Sequence, residues 1–330
     1  MKITVSNQLE LTGIPYHFRQ AVCNRLTFDN PAHLEAVKMG RWTGNIPEVL
    51  RFYQDPGDGT LTIPRGFCRQ LILMCRKNGI RYEIEDRRRA LAKVQFNFTG
   101  ILKLFQQQAV DAMLARDFGT LSAPTGSGKT VMALAIIAER RQPALIVVHT
   151  KELLNQWVER IGVFLGIPAN EIGIIGNGKK SIGGRITVAL VQSLYKVAGE
   201  VSPLIGHLVV DECHRAPSRT FTEAVTAFDC RYQLGLSATP WRRDKLSRLI
   251  FFHLGDVVHE VDREALQEAG DILRAEVITR ETSFKPFSDP VTEYSTMLSE
   301  LTEDPERNNL IAQDVAAEAN NGGGIVLVLS

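Results

Sequence analysis

From residue 119 onward, short apolar runs alternate with segments of helical period. The runs are 120–123, 144–149, 186–191, 207–211 and 232–237. Runs this short that stay apolar throughout suit strands buried on both faces, as in a parallel sheet. Between them, segments 130–140, 151–165, 219–228 and 242–253 repeat apolar residues at spacings of three and four, the period of a helix lying on a sheet. The alternation predicts an α/β fold, a parallel sheet wound with helices. In such sheets ligands bind where the loops leave the carboxyl ends of the strands.

The flanks read differently. Residues 3–5, 50–53, 60–63 and 82–84 have strand character and 17–26 and 65–77 helical character, a small α+β domain. Asp55-Pro56-Gly57-Asp58-Gly59 between two strand-like runs predicts a hairpin. The charged cluster Glu85-Asp86-Arg87-Arg88-Arg89 marks a boundary. Toward the other end, 275–282 and 324–330 read as strands and 291–320 as one or two helices. A parallel strand at 324–330 without its following helix leads us to expect a longer protein whose next domain has only begun. The expected domains are 1–97, 98–262 and 263–330.

Composition narrows the class. Of 330 residues, 44% are hydrophobic and 23% charged, which suits a globular protein with more than one domain. The apolar stretches are too short for a membrane span and no signal-peptide pattern follows Met1, so a cytoplasmic protein without membrane attachment is expected. Cys23, Cys68, Cys75, Cys213 and Cys230 form no C-x-x-C pair and read as reduced thiols. The net charge of +1 conceals an asymmetry, +6 over residues 1–97 against −5 over the rest. The basic segment, with Arg65, Arg69, Arg76 and Lys77 on one helical stretch beside Arg87-Arg88-Arg89, suits phosphate contacts; a domain that is basic without such a partner is the alternative.

Residues 123–130 read Ala-Pro-Thr-Gly-Ser-Gly-Lys-Thr between a strand and a helix. Gly126 and Gly128 let the backbone curl with positive φ, so that N–H groups converge on an anion at a helix N-terminus. Lys129 then reaches the β- and γ-phosphates of a nucleoside triphosphate, and the Thr130 hydroxyl ligates Mg²⁺. Without nucleotide, Lys129 is expected to face solvent. The run His207-Leu208-Val209-Val210-Asp211-Glu212-Cys213-His214 puts two acids at the end of a buried strand. Mg²⁺ and ATP supply the partner they need, with Asp211 holding the metal, partly through water, and Glu212 activating the attacking water.

Residues 123–130, Asp211-Glu212-Cys213-His214 and Ser237-Ala238-Thr239-Pro240 resemble motifs I, II and III of superfamily 2 DEAD/DEAH-like helicases. With Leu102-Lys103-Leu104-Phe105-Gln106 ahead of motif I, the chain is similar to the repair and recombination branch that includes xeroderma-pigmentosum-B type helicases, phage recombination helicases and restriction motor subunits. The resemblance covers 98–262 well and 263–330 thinly. It implies a RecA-like P-loop NTPase domain, followed by the start of a second one. It further implies that Gln106 reads adenine beside the nucleotide-binding Pro124, Thr125, Gly126, Ser127, Gly128, Lys129 and Thr130, and that Lys129, Asp211 and Glu212 are catalytic. His214, Ser237 and Thr239 would couple that centre to nucleic acid, while Thr150, Lys151, Gln192 and Ser193 contact the strand backbone. Read without the family, Thr150 is a helix cap.

The family completes its site with arginines from a second motor domain, expected beyond Ser330, so this stretch alone is expected to hydrolyse ATP weakly. Arg242 and Arg243 follow motif III and do not fill that role. His214 replaces the final Asp of the RNA-helicase signature, and the segment before Gln106 lacks that group's Gly-Phe and Pro pattern, which favours DNA. The expected activity is ATP-driven movement on or remodelling of DNA, with repair, recombination or nuclease proteins as partners. The alternatives are a restriction or phage-defence motor, and a nucleotide-gated DNA-binding module without motor activity.

Overall fold

The alternating apolar residues of β1 (Lys2–Val5) and β2 (Gln8–Thr12) bury Ile3, Val5, Leu9 and Leu11 on one face. After them come α1 (Tyr16–Arg25), β3 (Thr27–Asp29), α2 (Pro31–Lys38), β4 (Val49–Arg51), β5 (Leu61–Pro64), α3 (Cys68–Lys77) and β6 (Glu83–Asp86). In this computed structural model, which describes residues 1–215, 219–238, 247–273, 277–321 and 325–328, the first sheet has the order β5-β2-β1-β6. Phe18 and Val22 of α1 and Leu71 and Cys75 of α3 close its core.

Strand and helix then alternate as the pattern requires. In order come α4 (Leu104–Leu114), β7 (Phe118–Ser122), α5 (Lys129–Arg140), β8 (Ala144–Val148), α6 (Lys151–Leu165), β9 (Gly173–Gly176), β10 (Lys179–Lys180), β11 (Ile186–Leu190), α7 (Val191–Leu194), α8 (Ala198–Val201) and β12 (His207–Val210). α9 (Arg219–Thr226), β13 (Tyr232–Ser237), α10 (Ser247–Leu254), β14 (Val257–Glu260) and α11 (Arg263–Glu268) follow. Among the described residues the second sheet has the order β10-β9-β11-β8-β12-β13-β7-β14, parallel except for the β9–β10 hairpin. Every residue of β8, β11 and β12 is buried, because one face packs on α5 and α6 and the other on α7, α8 and α9.

Residues 1–273 form one unit and 274–330 another. Within the first, the small sheet and the large sheet meet along a packed seam. Phe252 of α10 inserts into the small domain's core, its ring 5.7 Å from those of Phe28, Phe52 and Phe67. A Cβ on Gly66 would lie 2.1 Å from the Phe251 carbonyl oxygen, so only glycine permits this approach. Arg65, 1% exposed, donates to the carbonyl oxygens of Cys230 (2.8 Å) and Ser6 (3.1 Å) and stacks on Phe118. Arg88 pairs with Asp86 and Asp117, and Arg89 with Asp229. Arg88 holds the Asp86 carboxyl down to about 2, so this pair's contribution is complete above the ordinary value of 3.8 and is lost as pH falls through about 2.

These contacts correct the expectation for the basic cluster. Arg65 is sealed in the seam, Arg88 and Arg89 are spent on aspartates, and Arg87 pairs with Glu85. Exposed cations remain at Arg25, Arg76 and Lys77, and Arg69 is exposed while lying 3.5 Å from Asp256. The seam residues Asp117, Cys230 and Asp256 each precede a strand. The small domain therefore sits at the amino end of the large sheet.

Two local expectations are also corrected, and a third is decided between its alternatives. The runs flanking Asp55–Gly59 share only a Gln54–Thr62 bridge before β4 turns to β3 and β5 to β2, since each finds a longer partner there. The described parts of 275–282 and 324–330, residues 277–282 and 325–328, are not strands: among the described residues neither has a neighbouring strand to supply its hydrogen bonds. The 291–320 segment forms two helices, α12 (Tyr294–Glu303) and α13 (Pro305–Asn320), separated where Asp304 caps the second.

Arg65→Met preserves much of the side-chain volume but leaves the Ser6 and Cys230 carbonyls without their charged donor. The expected loss is roughly 3 kcal/mol, read as a lower urea midpoint. An unchanged midpoint would show that the seam does not depend on this cation.

Candidate functional site

The loop after β7 has the curl that its glycines predict. Gly126 and Gly128 both have φ of 86°, and α5 starts directly at Lys129. Ser127 closes the turn, its Oγ donating to the Pro124 carbonyl at 2.7 Å. At Gly128 space is also decisive, because a Cβ there would lie 2.5 Å from Gln106 Nε2. Gln106, 8% exposed, braces the loop from behind: Nε2 donates to the Ser127 carbonyl and Oε1 accepts from the Lys103 N–H, both at 2.9 Å. The residue expected at the adenine thus spends its amide on the loop and on the start of α4. Thr125 and Gly126 are exposed at the loop crest, and Thr130 is half-buried in the first turn of α5.

Lys129 departs from the expected solvent-facing position. It is half-buried, and Nζ donates to the carbonyl oxygens of Ala123 (3.0 Å) and Pro124 (3.3 Å). Burial lowers its pKa, while the charges of Glu212 and Asp211 oppose that shift. An ammonium within the curl must find acceptors, and the loop's own carbonyls are the nearest.

The acids stand at the end of β12, with β13 between it and β7. Asp211, 6% exposed, is held from two sides. Oδ2 accepts from the Trp157 indole N–H at 2.8 Å, and Oδ1 from the Glu212 backbone N–H at 2.9 Å. Glu212 has a φ of 48°, a strained conformation for a residue with a Cβ. Its Oε2 is 3.1 Å from His214 Nδ1, which is 3.2 Å from Ser237 Oγ. A carboxylate only accepts, so a hydrogen bond between His214 and Glu212 requires the ring proton on Nδ1. Glu212, His214 and Ser237 therefore form one polar chain from β12 to β13. Thr239 lies outside the described residues, as do Arg242 and Arg243.

Farther along the same edge, Thr150 caps α6 by accepting from the Leu153 N–H at 3.3 Å, and Lys151 is exposed beside it. Gln192, exposed after β11, donates to the His149 carbonyl at 3.4 Å, which ties the loops after β8 and β11 together. Ser193 is half-buried next to it. Trp157 escapes sequence reasoning because Leu154, Trp157, Ile161 and Leu165 make an ordinary apolar stripe. Nothing in that spacing reveals that one member reaches Asp211.

Residues 99–242 match the family described as type III restriction enzyme, res subunit. Over 165 residues, half of this chain and 37% of the relative, the sequence is 38% identical to the DNA 3'-5' translocase XPB2 of Sulfurisphaera tokodaii. It is 32% identical over 168 residues to the probable helicase D10 of Escherichia phage T5, covering 51% of this chain and 36% of that protein. The match thus spans little more than a third of the length of either relative. The fold resembles the UvsW helicase from bacteriophage T4, with a TM-score of 0.59 at 17% identity over 78% of this chain and 99% of that one. The sheet, the motif order and these relatives place the chain among superfamily 2 helicases, with a RecA-like domain. Within that superfamily the similarity is to XPB-type and phage helicases and to a restriction-enzyme subunit.

Lys129→Ala removes the cation that sits within the loop's curl. Nucleotide affinity is expected to fall at least tenfold, while stability changes by only about 1 kcal/mol, the net worth of the exchanged hydrogen bonds. Titration with a fluorescent ATP analogue beside a thermal melt checks both, and equal affinity in parent and variant would remove Lys129 from the site.

Proposed function

We propose that this chain is the nucleotide-binding part of an ATP-dependent DNA translocase or helicase acting in repair or recombination. The reading rests above all on the convergence of the phosphate loop, the Asp211–Glu212 pair and the phosphate-suited groups of the β8 and β11 loops at one edge of one sheet. Relatives named as a DNA translocase and as helicases support it.

The residues fit nucleotide and metal. The curl at Gly126 and Gly128 directs backbone N–H groups toward phosphate oxygens at the α5 N-terminus, and Lys129 would exchange its loop carbonyls for the β- and γ-phosphates. Thr130 and Asp211 offer the hard oxygens that Mg²⁺ takes, Asp211 partly through water. When bound, that ion neutralises charge on the phosphate oxygens. Glu212, oriented by His214, would position the attacking water and accept its proton as ADP leaves. Ser237 shares His214, so a change at Glu212 reaches β13 and the motif that continues into Thr239.

Thr150, Lys151, Gln192 and Ser193 would hold a DNA strand by its backbone, since such groups contact phosphates without reading bases. We assign the motor to 98–262 and an accessory DNA-binding role to 1–97, through the cations left exposed at Arg25, Arg69, Arg76 and Lys77. An ATP-driven DNA motor works where both are present, which implies the cytoplasm. A second reading, favoured by the restriction-subunit family match, is a motor that translocates without separating strands. Displacement of a triplex-forming strand without unwinding of a forked duplex would select it.

Glu212→Gln keeps the shape of the side chain and should leave Mg²⁺·ATP binding near the parent value while slowing hydrolysis by roughly 10²–10⁴-fold. Unchanged turnover would end this assignment. Lys151→Ala should weaken binding of a single-stranded oligonucleotide and lower the slope of log affinity against log salt by about one. A slope equal to the parent's would place Lys151 off the DNA.

A further inference from the structure

α6 meets both proposed sites. Thr150, its N-cap, and Lys151, its first residue, stand at the edge proposed to hold DNA, and about two turns on Trp157 donates to Asp211. The donor and acceptor are 54 positions apart in sequence and both are buried, Trp157 at 1% exposure and Asp211 at 6%. At 2.8 Å to a carboxylate, this is a charge-assisted hydrogen bond in a poorly solvated place, where its direction matters most. The Glu212 N–H occupies the other carboxylate oxygen, so the plane of the Asp211 carboxylate is set by its own backbone on one side and by α6 on the other.

Packing makes α6 a rigid link. Ile161 and Leu165 anchor the same face in the core shared with α5 and β8, and the helix's own backbone hydrogen bonds join its first turn to the indole, so that a displacement at one would be carried to the other. We infer that Trp157 is a positioning residue which fixes the Asp211 carboxylate for Mg²⁺ and transmits to it the occupancy of the DNA edge at the α6 N-terminus. The inference rests on the nucleotide and DNA reading above and adds a route between the two sites. Partners that orient a metal-binding side chain typically contribute 10–100-fold to metal affinity.

The test uses the full chain as Trp157→Phe, with Leu154→Ala as a packing control on the same helix. Binding of a fluorescent ATP analogue is measured while Mg²⁺ is titrated, with and without a 20-nucleotide oligo(dT). In the parent, oligo(dT) should lower the Mg²⁺ concentration at half-maximal nucleotide binding. Trp157→Phe should raise that concentration about tenfold and abolish its response to oligo(dT), with Mg²⁺-free nucleotide affinity unchanged. Leu154→Ala should lower the thermal midpoint yet keep the parent's Mg²⁺ requirement and its response to oligo(dT).

A Trp157→Phe chain that matches the parent in both, or a Leu154→Ala chain that loses both equally, overturns the inference and leaves the nucleotide reading intact. A parent chain that binds the analogue but does not respond to oligo(dT) overturns the transmission. Only a parent chain that binds no nucleotide at any Mg²⁺ concentration overturns the reading on which the inference rests. If Trp157→Phe fails to fold, the indole N–H resonance of Trp157 in ¹⁵N-labelled parent protein takes its place: a shift on adding Mg²⁺ with a non-hydrolysable ATP analogue supports the bond to Asp211, and an unmoved resonance overturns it.

Discussion

Parallel pairing of β7, β13, β12, β8 and β11 is the constraint from which the site follows. Parallel strands share a direction, so each chain crossing must return through a helix, and every loop after a strand opens on the same edge. That single condition brings residues more than a hundred positions apart, the 123–130 loop and Ser237, onto one line. Burial of β8, β11 and β12 on both faces makes the arrangement stiff, because a slip of one residue would turn apolar side chains against a different set of helices.

On that stiff edge the polar groups hold one another. Gln106 braces the phosphate loop, Lys129 takes the loop's carbonyls, Trp157 and the Glu212 N–H clamp Asp211, and His214 joins Glu212 to Ser237. Each bond satisfies a buried or half-buried group that would otherwise be costly. The same economy appears at the amino end, where Arg140 lies over Tyr232 and donates to the Met113 and Arg116 carbonyls. Burial and the Arg140 charge push His207 well below its ordinary pKa, so its ring stays neutral beside that cation.

The small domain illustrates how charge in a sequence misleads. Eleven arginines among the first 97 residues read as a surface for phosphates, yet Arg65, Arg88 and Arg89 serve the seam with the larger sheet. A guanidinium can satisfy carbonyls, carboxylates and an aromatic face at once, which suits it to internal junctions as well as to nucleic acid. Asp117, Asp229 and Phe252, the residues that decide between the two roles, lie far along the chain and carry no local mark.

What the sequence by itself determined was local or periodic. The run at 232–237 and the helix at 151–165 were legible to the residue, and the left-handed glycines at 126 and 128 followed from the loop's spacing, because backbone sterics and burial periodicity act over a few residues. Tertiary structure alone decided the rest. It turned Lys129 inward, gave Gln106 a bracing role, selected Trp157 from an apolar stripe to hold Asp211, and left residues 277–282 out of any strand. The physical reason is common to all four: a polar group or a strand edge takes its state from whichever partner the fold brings within hydrogen-bonding distance, and that partner is set by three-dimensional packing rather than by neighbours in the chain.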